Sequence, residues 1–544
     1  MAGLKTSKRS AAVDLEHPRL AGSARLLPPR GPGAGWIVQC GVTNFFRVSP
    51  AFAEVATRLD GKRSVGELAA ELGSPWTVDH VSAVVSALHT RSLLDDGTRP
   101  AKPSRVRFAL PMTVQVTVLD PARILRWSHP LIRVLLSRSG RFALSAVAVV
   151  GLILVGTQWP DVWAALGAPL PATAYLVVLV AVLLTTALHE FGHGAVLTYH
   201  GGRPSRMGFM LFYLAPTFFC DVSDGWRLPR PAQRVQVALA GVATQAVVGG
   251  LAAIGASGTT GQARATLLVL ATATYVGAVI NLVPFVKFDG YIALMSALDV
   301  PNLRHRAMAD ARAATAAVFF GGRRQSQLPQ LSWAVPYGLA CLLFPWLLVG
   351  TAAAHWLSVL GSFGPVGLVA MACATGGALF VVGRGLVRLV QAGRSGGAPI
   401  WRLASVTSLL VAFAAAALVL LQVPISATGG YYVANDGTAR IVLSKSLPAP
   451  LASDDLSVTF LASGVVARTP IAQGDLVSVQ SSPGEGPVGA VLPIASDTVV
   501  HYDTTYAART DRPLVRPTGL AVITGSPAPL YTWLYITYVA PVLP

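Results

Sequence analysis

Charged residues and cysteines are both scarce in this chain. Of its 544 residues only 12% are charged, whereas 53% are hydrophobic and the mean hydropathy is +0.56. This composition argues against a purely soluble protein and indicates a polytopic membrane protein with soluble parts. The four cysteines lack C-x-x-C spacing and none lies beyond residue 423, which excludes a disulfide framework in the last part of the chain.

No long apolar run occurs before Phe142. Residues 1–35 are polar, basic and rich in proline and glycine, so we predict a flexible N-terminus without a signal peptide. Further along, seven segments each approach the roughly 20 apolar residues that cross a bilayer. The predicted spans are 142–159, 172–199, 235–256, 265–284, 333–354, 364–383 and 404–423. The predicted fold class is therefore mainly α, a polytopic membrane protein with about seven spans.

Acidic residues are fewer than basic ones, 25 against 42, which gives a formal net charge of +17. The basic residues concentrate before the first predicted span and in every second loop after it. The alternate loops contain a single basic residue, Arg264. Because basic loops remain in the cytoplasm, we predict a cytoplasmic N-terminus and an extracytoplasmic C-terminal region in a bacterial plasma membrane. The predicted partner of this charge is the lipid bilayer with its anionic inner leaflet, not nucleic acid.

The second predicted span contains an H-E-x-x-H motif that begins at His189 and ends at His193. On a helix the two histidines lie one turn apart on one face, where both imidazoles can bind one zinc ion. Glu190 beside them is a candidate general base for a water molecule. A chance match on a cytosolic helix is the poorer alternative, because such side chains within a span are costly and need a reason.

A second motif follows the fourth predicted span: Asn281-x-x-Pro284, and then Asp289-Gly290. A catalytic zinc takes three protein ligands and leaves its fourth position open. An Asp-Gly pair after a helix is usually only a turn or a cap, but Asp289, at the mouth of a span, is the best candidate ligand among the nearby acids. The second and fourth spans run in the same direction, so both motifs are predicted at the cytoplasmic side.

Together these motifs resemble the site-2 protease family of intramembrane zinc metalloproteases, whose signature is H-E-x-x-H on one span and a ligating Asp before Gly on a later one. The resemblance implies that His189, His193 and Asp289 hold zinc and that Glu190 is the catalytic base. Asn281, in the second motif, is a candidate substrate-binding residue. The aromatic segment 206–226 is similar to segments that form a sheet beside the zinc in that family, where an edge can hold the substrate as an extended strand.

Residues 36–98 form a predicted winged-helix-like α+β domain. Two short strands are predicted before three helices, and Ser64 with Glu67 forms a capping box at the start of the second helix. The run from Phe45 to Leu93 resembles PqqD-like domains, the leader-recognition modules of ribosomally made, modified peptides.

That resemblance implies a precursor or leader peptide as partner, bound by strand addition, with Phe46 as a candidate contact. DNA binding is the rival use of a winged helix. Acidic residues outnumber basic ones in this domain, however, so it is poorly suited to bind the phosphate backbone of nucleic acid. A purely structural cytosolic cap is the other alternative.

After residue 424 the content of Gly, Ser, Thr, Pro and Asp rises and short alternating runs predict a small β-rich external domain. The predicted organisation is a flexible basic N-terminus (1–35), a PqqD-like domain (36–98), a membrane metalloprotease core (99–424) and an extracytoplasmic β-rich domain (425–544).

The whole arrangement resembles peptide zinc metalloproteases of bacterial clusters for ribosomal peptides, with a daptide-type pathway as the predicted subtype. This implies a zinc metalloendopeptidase that removes the leader of a precursor peptide during maturation or export. Two alternatives stay open. A regulatory protease of membrane-tethered transcription or anti-sigma factors leaves the leader-binding domain unexplained, and a non-enzymatic export or immunity protein with structural zinc leaves Glu190 without a use.

Overall fold

Helices make up most of the described chain, and its strands form three sheets: one in the N-terminal domain, one in the C-terminal domain and a smaller one that includes residues on both sides of the second predicted span. The computed structural model describes residues 14–21, 24–29, 36–40, 44–90, 93–95, 106–109, 113–212, 215–324, 326–361, 364–443, 447, 451, 456–465, 468–478, 480–492, 494–496 and 498–536.

The N-terminal domain consists of three antiparallel strands and three helices. The strands are β1 (Ala24–Leu27), β2 (Trp36–Cys40) and β3 (Asn44–Val48), in the order β1-β2-β3, and the helices are α1 (Pro50–Ala56), α2 (Val65–Leu72) and α3 (Val78–Thr90). Ser64 and Glu67 form the expected capping box of α2. β1 falls within the segment 1–35 that is predicted to be flexible; it pairs with β2, and Leu26 packs against the apolar core.

A four-stranded antiparallel sheet packs against the helix Ala172–Tyr199 through its last strand. Its strands are β4 (Val106–Ala109), β5 (Thr113–Leu119), β6 (Met207–Phe212) and β7 (Ala215–Cys220), in the order β4-β5-β6-β7. The aromatic segment 206–226 thus contributes a hairpin, and its partner β5 comes from far earlier in the chain. Among the described residues β7 forms one edge of this sheet.

Twelve helices follow β5 before the C-terminal domain, within the described part of the chain. They are α4 (Pro121–Trp127), α5 (His129–Leu135), α6 (Arg138–Thr157), α7 (Trp159–Leu166), α8 (Ala172–Tyr199), α9 (Pro231–Ser257), α10 (Gly261–Leu282), α11 (Asp289–Leu298), α12 (Leu303–Phe320), α13 (Ala334–Gly361), α14 (Gly364–Ser395) and α15 (Ile400–Leu420).

Six of these helices are long and apolar enough to cross a membrane: α6, α8, α9, α10, α14 and α15. The prediction of a mainly helical membrane protein is confirmed. The seventh predicted span, 333–354, falls in α13, whose described apolar stretch, Ala334–Leu348, is shorter than the others. α9 is the most enclosed of the six, and it packs against α6, α8, α10 and α11 at the centre of the bundle.

The C-terminal region is rich in β structure, as predicted. Its strands are β8 (Gln422–Val433), β9 (Ala439–Val442), β10 (Ser457–Ser463), β11 (Arg468–Leu476), β12 (Ser482–Pro487), β13 (Val499–Thr510) and β14 (Thr518–Pro529), followed by α16 (Leu530–Leu534). The strand order is β11-β10-β14-β8-β9-β13-β12, and β11 also pairs with β13, so the sheet closes on itself. Tyr431, Phe460 and Tyr506 fill its interior.

This β domain contacts the loop between α7 and α8. The backbone N–H of Ala495 donates to the carbonyl of Leu170 at 3.1 Å, and the guanidinium of Arg516 donates to the carbonyl of Gly167. The domain therefore lies at the N-terminal end of α8.

Candidate metal centre

The two histidines of the H-E-x-x-H motif lie on the buried face of α8. Because α8 continues without interruption through the motif, His189 and His193 are one turn apart, and each is only 6% exposed. Their Nε2 atoms are 3.2 Å apart. Helical spacing alone therefore brings the two ring nitrogens to one point.

Asp289 reaches the same point from a sharp turn. α10 ends at Leu282 just before Pro284, which cannot continue the helix, and α11 begins at Asp289. A Cβ on Gly290 would lie 1.9 Å from the carbonyl oxygen of Leu282, so this close return of the chain requires glycine. The turn holds Asp289 Oδ2 at 3.0 Å from His189 Nε2 and Oδ1 at 3.4 Å from His193 Nε2.

These separations suit a metal ion held by nitrogen and oxygen. Two ligand atoms about 2.0–2.1 Å from a tetrahedral zinc stand roughly 3.3 Å apart, and the three separations in this site are 3.0, 3.2 and 3.4 Å. Among the described residues, His189, His193 and Asp289 are the group of His, Cys and acidic side chains whose ligand atoms converge in this way. Three ligands leave the fourth position of such an ion open.

The hydrogen bonds of the cluster leave its lone pairs available. His193 Nδ1 lies 2.7 Å from the carbonyl oxygen of Val237, so it must be the donor, and in the neutral ring Nε2 then carries the lone pair. Asp289 Oδ2 is buried and faces His189 Nε2, its neighbour at 3.0 Å, which is a ligand nitrogen of the same cluster. A carboxylate and an unprotonated ring nitrogen that converge in a buried site require a cation or a proton between them.

α9 closes the site from the other side through Gly241. A Cβ at this position would lie 2.5 Å from Cε1 and Nε2 of His189 and 2.6 Å from Nε2 of His193. No side chain larger than hydrogen therefore fits between α9 and the two imidazoles.

Glu190 contacts the sheet beside the helix. Its Oε2 accepts the backbone N–H of Cys220 at 2.8 Å, which fixes the carboxylate at the end of β7. Burial, and then the charge of Glu190, raises the pKa of the Cys220 thiol above its usual value. Cys220 is not one of the three described residues whose ligand atoms converge.

A cavity of about 530 Å³ connects these groups. Glu190, His193 and Asp289 line it together with residues of β5, β6, β7, α9 and α11. Its volume lies within the range of about 300–1,000 Å³ that is usual for ligand pockets. The arrangement brings a candidate base, a candidate metal site and an edge strand to a single space.

The two candidate substrate-binding residues are placed differently. Asn281 donates from Nδ2 to Oε1 of Gln245 at 3.0 Å, so it links α10 to α9 and is not among the residues that line the cavity. The backbone of Phe46 lies in β3 opposite Val38, and its side chain lies outside the described part of the structure. Their predicted roles stay predictions.

Sequence reasoning missed Gly241, Val237 and Arg206, each of which contacts the site or lines the cavity. The only local signals for these residues were a glycine within a predicted helix, for Gly241, and an arginine in an aromatic segment, for Arg206. No protein-family model, curated protein or solved structure matches the chain.

Proposed function

We propose that this protein is an intramembrane zinc metalloprotease that hydrolyses a peptide bond of a ribosomally made precursor peptide. The observation that carries the proposal is the convergence of His189, His193 and Asp289 beside Glu190 in one cavity. A structural metal site would have no use for Glu190, whose carboxylate is held at that cavity by the N–H of Cys220.

The residues divide the chemistry among them. His189, His193 and Asp289 would hold zinc, which when bound supplies Lewis acidity to polarise a carbonyl and to acidify water. Glu190 accepts a proton from water at the carboxylate oxygen and returns it to the leaving amine. The hydrogen bond that His193 Nδ1 donates to the carbonyl of Val237 orients that imidazole, as expected for a metal ligand.

The edge strand β7 offers a means of holding the substrate. A protease needs its substrate extended, since a helix hides its peptide bonds within the helical hydrogen-bond network. The N–H of Cys220 points away from β6 toward Glu190, and N–H directions alternate along a strand, so that of Phe218 points the same way. A peptide added to this edge would lie beside the candidate base.

The N-terminal domain stands close to the same cavity. β3 is an edge strand among the described residues, and it lies against the turn Ser223–Arg227. Ser223, Gly225 and Trp226 of that turn line the cavity. A leader peptide bound along β3 would therefore have its following residues near Glu190, which supports leader recognition by this domain.

Reconstitution with a precursor peptide tests the function. In liposomes the protein should cleave a precursor from its own gene neighbourhood, chelation should abolish cleavage, and zinc should restore it. Removal of the leader from the precursor should raise KM more than it lowers kcat, because recognition is separate from the chemistry. Cleavage of a single-span anti-sigma factor, with the precursor left intact, would instead favour the regulatory protease.

We infer that the catalytic site faces the cytoplasm and the β domain the outside. The β domain contacts Leu170 at the N-terminal end of α8, whereas His189 lies 17 residues beyond Ala172, about 26 Å along the helix. The turn between α14 and α15 contacts the end of α12, where Arg323 N–H donates to the carbonyl of Gly396. The end of α12 and this turn therefore lie on the same side of the membrane. If that side is the cytoplasm, α14 begins at the outer side, so α13 must also cross the membrane to connect α12 with α14.

Reporter fusions test this orientation. A cytoplasmic fluorescent reporter fused after Gly397 should be active, and an export-dependent phosphatase fused there should be inactive. Fusions after Ser426 should give the opposite pair of results. An active phosphatase at Gly397 would contradict the inference and would move the site to the outer face.

A further inference from the structure

Arg206 lies in the catalytic cavity with hydrogen-bond donors that the fold does not use. Its side chain is 11% exposed and lines the cavity with Glu190, His193 and Asp289. Its Nε and Nη1 atoms are both buried, and neither has a hydrogen-bond partner among the described atoms. A buried guanidinium with two vacant donors is costly, because the lost hydration is not replaced.

The neighbouring acid, Asp221, leaves both of these donors vacant. Arg206 Nη2 is 3.5 Å from Asp221 Oδ2, which is long beside the roughly 2.7–2.9 Å of a charge-assisted hydrogen bond. Two other arginines of the same region show the shorter form: Arg234 is 2.7 Å from Asp299 and Arg227 is 3.0 Å from Asp224.

Asp221 also accepts shorter hydrogen bonds from uncharged donors. Its Oδ2 accepts the hydroxyl of Ser205 at 2.8 Å, and its Oδ1 accepts the hydroxyl of Ser223 at 2.6 Å and the Ser223 backbone N–H at 3.2 Å. These bonds tie the carboxylate to the loop on either side of the hairpin. Asp221 therefore stabilises the loop, and Nε and Nη1 of Arg206 are left for another acceptor.

The position of Arg206 is fixed relative to the chemistry. Its carbonyl accepts the N–H of Asp221 at 2.8 Å, directly after Cys220, whose own N–H donates to Glu190. The guanidinium lies 5.9 Å from the centre of the Phe219 ring, which supports one of its faces. Each of its two paired edges, Nε with Nη2 and Nη1 with Nη2, has one vacant donor.

We propose that Arg206 is a specificity residue that binds a carboxylate of the substrate near the scissile bond. A carboxylate matches the planar donor fork in charge and shape, and on either edge of the guanidinium it would accept from one vacant donor together with Nη2. The carboxylate belongs either to an acidic side chain or to the C-terminus of the peptide. This inference rests on the proposed protease function for its meaning, but the binding it describes can be measured without hydrolysis.

Three matched probes separate these sources. They are short apolar peptides with a central Glu and an amidated C-terminus, with a central Gln and an amidated C-terminus, and with a central Gln and a free C-terminal carboxylate. Binding is measured on zinc-loaded full-length protein carrying Glu190→Gln, so that no probe is consumed. One of the two carboxylate probes should bind about tenfold more tightly than the amide probe, as expected for a charge-assisted hydrogen bond in a buried site.

Substitution of Arg206 decides the assignment. Arg206→Gln should bring the carboxylate-to-amide affinity ratio to about one, and Arg206→Lys should keep part of the preference because it keeps the charge. Arg227→Gln is the matched control, since that arginine is paired with Asp224 and does not line the cavity; it should keep the full ratio. Equal affinity for all three probes, or a preference that survives Arg206→Gln, would overturn the proposal.

The wild-type protein supplies a second readout on the same peptides. If cleavage occurs, kcat/KM should follow the same carboxylate preference and lose it in Arg206→Gln. If no peptide is cleaved while the affinity ratio depends on Arg206, the protease function fails and the carboxylate site stands.

Discussion

Glu190→Gln should leave zinc content and fold intact and lower kcat by roughly 10²- to 10⁴-fold, the usual contribution of general acid–base catalysis. The amide cannot accept a proton, but its oxygen can still accept the N–H of Cys220 that now holds the carboxylate. The substitution therefore removes the base without moving the loop. Turnover of the precursor, metal content and thermal unfolding are measured on the same preparation.

An exposed glutamate provides the control for this change. Glu485 lies on β12 in the C-terminal domain, far along the chain from the cavity, and Glu485→Gln should keep wild-type turnover. Wild-type turnover in Glu190→Gln itself would remove Glu190 from the mechanism. A loss of zinc in that variant would instead make Glu190 a part of the metal site.

Gly241→Ala should abolish metal binding, although glycine-to-alanine changes within helices usually stabilise them by about 0.5–1 kcal/mol. The new methyl group would lie 2.5 Å from the His189 ring and 2.6 Å from His193 Nε2. Either α9 moves away from α8 or the imidazoles rotate, and both responses separate the ligand atoms. Zinc content should fall to that of a His189→Ala, His193→Ala double variant, and hydrolysis should be lost with it.

Gly255→Ala is the matched control on the same helix. A Cβ there would meet only Leu267 Cδ1 at 3.5 Å, an ordinary contact, so this variant should keep its zinc and should be as stable as the wild type or slightly more stable. Wild-type zinc content in both glycine variants would contradict the close approach of α9 to the imidazoles. Zinc retained by the double histidine variant would contradict the ligand assignment.

The amino-acid sequence by itself determined those features that depend on local patterns. Hydropathy over about 20 residues marks a membrane helix wherever it packs, so the positions of the six candidate spans could be predicted. The spacing of His189 and His193 brings them to one face of any helix, and the capping box at Ser64 and Glu67 requires only four consecutive residues. The prediction of Asp289 was of a different kind, because it depended on the second and fourth spans running in the same direction and on a resemblance to a known signature.

Only the tertiary structure decided which segments meet. The pairing of β5 with β6 joins residues 113–119 to residues 207–212, and no local pattern specifies a partner so distant in the chain. β1 lies in a basic, proline-rich segment whose composition resembles a linker, yet pairing with β2 and packing of Leu26 against the core hold it in the domain. Gly241 is part of the site because α9 approaches the imidazoles of α8 at that residue. The donors of Arg206 are vacant in a site where Ser205 and Ser223 already bind the carboxylate of Asp221. Periodicity determines the face that a helix buries, whereas the contact made by that face depends on packing between segments remote in sequence.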